Sequence, residues 1–142
     1  MIPVRDRPAF ESPNTTFLQK GAYDMVRINT EEGVIRISGD VFTTLAGAAA
    51  TSCFGVRGMA KKSASDGLVH LLKREAMGKG VRVIFHEEEG SISVELHIIV
   101  NTGVNIPVIC DSISSAVRYK LTQATGVKVR NVDVFVDSVM PE

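Results

Sequence analysis

Few side chains in this sequence combine the type and spacing that chemistry requires. Three histidines (His70, His86, His97) and two cysteines (Cys53, Cys110) are spread over 142 residues. His86 and His97 fall on neighbouring strands of one expected hairpin. Four residues then separate them along the strands, about 13 Å at the usual rise and too far to share an ion. The cysteines are too few and too distant for a disulfide framework or a zinc site, and their apolar neighbours suit buried thiols in a reducing cytoplasm. Glu87, Glu88 and Glu89 form the one carboxylate run, at a hairpin tip where solvation accounts for it. No phosphate loop, dinucleotide fingerprint or nucleophile elbow occurs. The sequence therefore offers no catalytic residue, no metal site and no cofactor site, and points away from an enzyme.

Charge is the stronger signal. The net charge is +0, yet residues 57 to 82 hold Arg57, Lys61, Lys62, Lys73, Arg74, Lys79 and Arg82 against only Asp66 and Glu75. Such a segment attracts phosphate, anionic lipid or the acidic part of a second copy, and is equally a solvated surface. Arg57, Lys61, Lys62, Lys73 and Arg74 are the candidate anion-binding residues. Gly55-Val-Arg-Gly58 resembles the Gly-x-x-Gly loop of KH domains. There the loop joins two helices, whereas here it leads from a helix into a strand, so nucleic-acid binding is the third reading.

These residues are positioned by a pattern that occurs twice, in which a strand enters an amphipathic helix that ends at Gly-Val. The first copy is Gly33–Ser38, a helix over Asp40–Phe54, then Gly55-Val56; the second is Ile92–Val100, a helix over Asn105–Thr125, then Gly126-Val127. Ser38 or Gly39 can cap the first helix, Pro107 fits the first turn of the second, and Gly55 and Gly126 suit left-handed ends. Gly47, within Ala46-Gly-Ala-Ala-Ala50, lets the first helix approach a neighbour closely. A short inserted helix is expected with Ser65 as cap, Leu68, Leu71 and Leu72 as its apolar face, and Gly78 and Gly80 at its end. A hairpin follows, pairing Phe85 with Val94 and Val83 with Leu96. The apolar register slips between Val129 and Val132, which implies a β-bulge near Arg130-Asn131.

The expected fold is α+β, a two-layer sandwich. A mixed sheet of about five strands carries two main helices on one face, placed there by right-handed crossovers, and the short inserted helix. Residues 1–30, punctuated by Pro3, Pro8 and Pro13, read as a flexible tail, and 31–142 as the domain. No run approaches the ~18 apolar residues of a membrane span, and no export signal opens the chain. The sheet face away from the helices should carry Ile84, Ile99 and Phe135 among Arg36, Arg82 and Glu95. That mixture suits a protein interface and equally an ordinary surface.

One ordered set of residues has a wider likeness. Gly33-x-Ile35-x-Ile37-Ser38, Ala46-Gly47, Gly55-Val56-x-Gly58-Met59, Asp66-Gly67-Leu68, Gly80-Val81-x-Val83, Asn101 to Asn105, Gly126 and Val132-x-Val134-x-Val136 follow one another in the chain. The set resembles the alkaline shock protein 23 and general stress protein 24 family of bacterial envelope stress response proteins. It is most like the short members beside fatty-acid-kinase or dihydroxyacetone-kinase-like genes in Gram-positive bacteria. The resemblance implies a cytoplasmic, non-enzymatic protein of envelope homeostasis, in some relatives held at the inner face of the membrane by a separate anchor protein. The implied partners are a second copy, another protein such as that anchor, or the neighbouring kinase. A long charged C-terminal extension of the larger members is absent.

Overall fold

The structure is a computed structural model that describes residues 15–20, 23–62, 67–86 and 88–141. In chain order it runs β1 (Thr15–Lys20), β2 (Tyr23–Thr30), β3 (Gly33–Ser38), α1 (Gly39–Thr51), β4 (Val56–Lys62) and β5 (Val69–Leu71). A 3-10 helix (Arg74–Gly80), β6 (Val81–His86), β7 (Ser91–Asn101), α2 (Ile106–Thr125) and β8 (Lys128–Met140) complete it. The five-stranded sheet has the order β5-β4-β7-β6, with β8 also paired to β7. Only β7 and β8 are parallel, so the sheet is mixed, as expected.

Local signals fix both helices. Ser38 Oγ accepts from the Asp40 N–H at the start of α1, and Asn105 Oδ1 accepts from the Val108 N–H at the start of α2. Gly126 closes α2 in the left-handed region, its N–H donating to Thr122. Phe42, Ala46, Ala49 and Ala50 of α1 and Ile109, Ile113, Val117 and Leu121 of α2 are buried with the alternating Ile92, Val94, Leu96, Ile98 and Val100 of β7. Both helices therefore lie on one face, in the expected two-layer arrangement.

Four expectations change in detail. Residues 15–20 and 23–30 form β1 and β2 rather than a tail, and with β3 they make a separate antiparallel meander. Its Val26 is fully buried, with Ile28 and Ile37 packed beside it. Residues 1–14 lie outside the described part. Because β3 belongs to this meander, only β7–α2–β8 is a strand–helix–strand crossover within one sheet. The inserted helix is displaced: Val69–Leu71 pairs with β4, and a seven-residue 3-10 helix follows from Arg74 to Gly80; Ser65 lies outside the described residues. Finally, the hairpin slips by two, pairing Phe85 with Ile92 and Val83 with Val94. A two-residue slip keeps every side chain on its face, so alternation alone could not choose between the registers. The bulge at Arg130 is present, and a second occurs at Asp137.

Two glycines set tight contacts. A Cβ on Gly47 would stand 3.3 Å from Met77 Cγ, so this glycine meets the 3-10 helix rather than the sheet. Gly55 has φ +86° three residues beyond the α1 cap, and a Cβ there would come within 2.3 Å of Ile109 Cδ1. Gly47→Leu is expected to lower stability by about 1–3 kcal/mol through overpacking. Gly55→Ala should cost more than Gly103→Ala, which has a similar φ of +89° but open space, and for which strain of ~1 kcal/mol is expected. Denaturant midpoints of the three variants check this; equal losses at Gly55 and Gly103 would contradict the Ile109 contact.

Candidate functional site

The face turned away from the helices holds part of the expected interface. Arg82 and Glu95 stand opposite each other across β6 and β7, their charged groups 3.7 Å apart. Ile84 is half-buried in the same pair of strands, opposite Ser93. Phe135 of β8 is 43% exposed and stacks on His97, with centroids 4.8 Å apart and planes within 11°. Two expected members are not there. Ile99 is fully buried between Gly58 and Ser138, because Leu71 of the β4–β5 hairpin lies over Gly58 on that face. Arg36 is exposed on β3, in the other sheet.

Polar groups beside Phe135 tie β8 to β7. Ser93 donates to Asn131 Oδ1 at 2.7 Å, and Asn131 Nδ2 donates to Asp133 at 3.1 Å. His86 Nε2 lies 2.7 Å from Ser93 Oγ. Since the serine proton goes to Asn131, His86 donates to the serine and does not take its proton. A base-activated nucleophile needs the reverse. Further along, His97 Nδ1 donates to Asp137 at 3.0 Å. The two imidazoles thus serve different strand contacts, and no cluster of metal-ligating groups occurs among the described residues. Sequence reasoning missed Asn131, Asp133 and Asp137; a polar residue in or beside each bulge was the available signal.

The basic segment is split by the fold. Arg57 and Arg74 line one cavity of about 370 Å³ between the end of α1, β4 and the 3-10 helix. Lys61 is exposed on β4 opposite His70, and Lys73 is exposed just before the 3-10 helix. Neither lines that cavity, and the Lys62 side chain lies outside the described residues. Arg57 is brought in by a β-bulge: Val56 pairs with Val100 and Gly58 with Ile99, leaving Arg57 without a partner on β7. The Gly55–Gly58 stretch is thus a turn and a bulge between a helix and a strand, as the sequence suggested.

Comparison with known proteins gives the chain its family. The profile of the alkaline shock protein 23 family, described by a cell envelope-related function, matches residues 27–141. The chain belongs to that family. It is 34% identical over 115 residues to the uncharacterized protein YloU of Bacillus subtilis, covering 80% of this chain and 94% of the relative. It is 36% identical over 115 residues to the uncharacterized protein Spy1614 of Streptococcus pyogenes, covering 80% and 93%. No solved structure matches it. The family match begins inside β2, at residue 27, ahead of the boundary expected after residue 30. Among the described residues, no helix of this family member is long and apolar enough to cross a membrane.

Both cysteines of this family member are half-buried and free, and burial pushes each thiol pKa upward. The folded chain then holds these protons more tightly than the unfolded chain. The stability this contributes is complete below the ordinary thiol pKa and lost as pH rises through the raised value. Unfolding free energy should therefore fall more steeply on the alkaline side in the wild type than in Cys53→Ala/Cys110→Ala. Identical alkaline slopes would contradict it.

Proposed function

We propose that this protein serves the cell envelope as a non-enzymatic binding protein, in envelope homeostasis under stress, and that its first partner is a second copy of itself. The observation that carries the reading is strand β8. It is 13 residues long, pairs only with β7, and leaves its other edge unpaired among the described residues. An edge of that length is a template for strand addition unless it is blunted. The bulges at Arg130 and Asp137 interrupt it only at the ends of the regular stretch Asn131–Val136. Within and beyond that stretch Phe135 and Val139 are exposed, and Val132, Val134 and Val136 are only half-buried.

The order of side chains suits a copy of the same strand. In an antiparallel pair centred on Val134, Val132 faces Val136, Phe135 faces Asp133 and Asn131 faces Asp137. The contact would be isologous, closing a two-fold dimer. Centring on Asp133 would oppose two carboxylates.

Sedimentation of the wild type and Phe135→Glu at matched concentrations tests the proposal. The wild type is expected to associate and Phe135→Glu to remain monomeric over at least a tenfold higher concentration, with an unchanged thermal midpoint. Identical sedimentation of the two would overturn the role of β8.

A further inference from the structure

We propose that the cavity between Arg57 and Arg74 is a binding site for a small amphiphilic anion, with a phosphate or carboxylate group at one end and a short apolar part. Two exposed arginines from different elements line one open cavity, although 16 residues separate them in the chain. Its lining holds no carboxylate, and Glu75, beside Arg74 in sequence, lines a different cavity. Neither arginine has an ion-pair partner among the described residues.

The carbonyl groups of Gly47, Ala48 and Ala50, near the end of α1, already accept hydrogen bonds from within the helix end. Thr51 donates to Gly47 O and Ser52 to Ala48 O, each at 2.8 Å, and the Cys53 N–H donates to Ala50 O. Two planar guanidinium forks on residues that line one cavity match the oxygens of a phosphate or carboxylate, which they can grip in pairs. The bulge at Arg57 fits the same purpose, since bulges recur where a side chain must be re-aimed.

The rest of the lining is mixed: Thr51 and Ser52 contribute hydroxyl groups, and Ala48, Met59, Leu72 and Met77 an apolar patch. Met59 is fully buried, while Leu72 and Met77 are half-buried and packed on the core. A volume of about 370 Å³ lies at the small end of ligand sites, which span roughly 300–1,000 Å³. It is large enough for a head group with a short chain. The site lies on the helix side of the sheet and is independent of the β8 edge.

Calorimetric titration of the full chain with inorganic phosphate, butyl phosphate and butanol tests the site, with flotation on phosphatidylglycerol vesicles as a second arm. Butyl phosphate should bind saturably and more tightly than phosphate, and butanol should not bind. Arg57→Gln and Arg74→Gln should each weaken butyl phosphate about tenfold or more, while Arg36→Gln, an exposed arginine on the other sheet, leaves it unchanged. Ala48→Leu, which fills the apolar end, should erase the advantage over phosphate. Vesicle flotation lost in Arg57→Gln and Arg74→Gln but kept in Arg36→Gln would assign the anion to a lipid head group. The proposal is overturned if none of the probes binds saturably, or if Arg36→Gln weakens binding as much as Arg57→Gln. Thermal midpoints show that each variant is folded.

Discussion

Strand β7 is 11 residues long and buried at every position except Glu95, His97 and Asn101, which are half-buried. Its backbone groups cannot turn to water, and each one left unpaired would cost about 1–3 kcal/mol. Both of its edges are therefore occupied. β8 runs parallel along one edge from Ser91 to Asn101, while β6 and β4 share the other, end to end. That sharing depends on Gly80, where a Cβ would stand 2.9 Å from Ala60 O and 3.0 Å from Met59 Cβ. Only glycine lets β6 begin where β4 gives way. The rest of the molecule answers to this strand: α2 carries the chain across to β8, and α1 covers the β4–β6 half of the face.

Two surfaces of different chemistry follow from that arrangement. Making β8 the last strand on its side leaves its outer edge open, lined by valines and a phenylalanine that the protein itself only half covers. Splitting the opposite edge between β4 and β6 requires the chain to leave the sheet and return. The 3-10 helix on that excursion brings Arg74 to the cavity that Arg57 also lines. Association through backbone and valine, and ligand binding through guanidinium groups, thus occupy separate regions and can be altered separately.

The sequence disclosed whatever depended on local chemistry. The cap at Ser38, the glycine end of α2 and the bulge at Arg130 each involve residues close in the chain. What it concealed depended on distant partners. The alternation of Val26 and Ile28 matches that of Ile35 and Ile37 across a two-residue turn, but polar neighbours and upstream prolines made it read as a tail. Leu68, Leu71 and Leu72 fit a helix by spacing, yet Leu71 is drawn to the gap over Gly58, and a short strand results. Ile99 lies at the correct parity for the outer face and is buried because that same leucine covers its surroundings. The pairing of Arg57 with Arg74 in one cavity could not be read from spacing, although their common charge had already marked the segment.

The most direct test of the claim that this family member works by binding through β8 is hydrogen exchange of its backbone amides, compared between dilute and concentrated protein. If a second copy adds to the edge, some amides within Asn131–Val136 that exchange quickly in the dilute sample will slow on concentration. Amides of β7 and of the β1–β3 meander should keep their rates. Exchange across Asn131–Val136 that is independent of concentration, in a sample that sedimentation shows to be associated, would contradict the account and place the contact elsewhere.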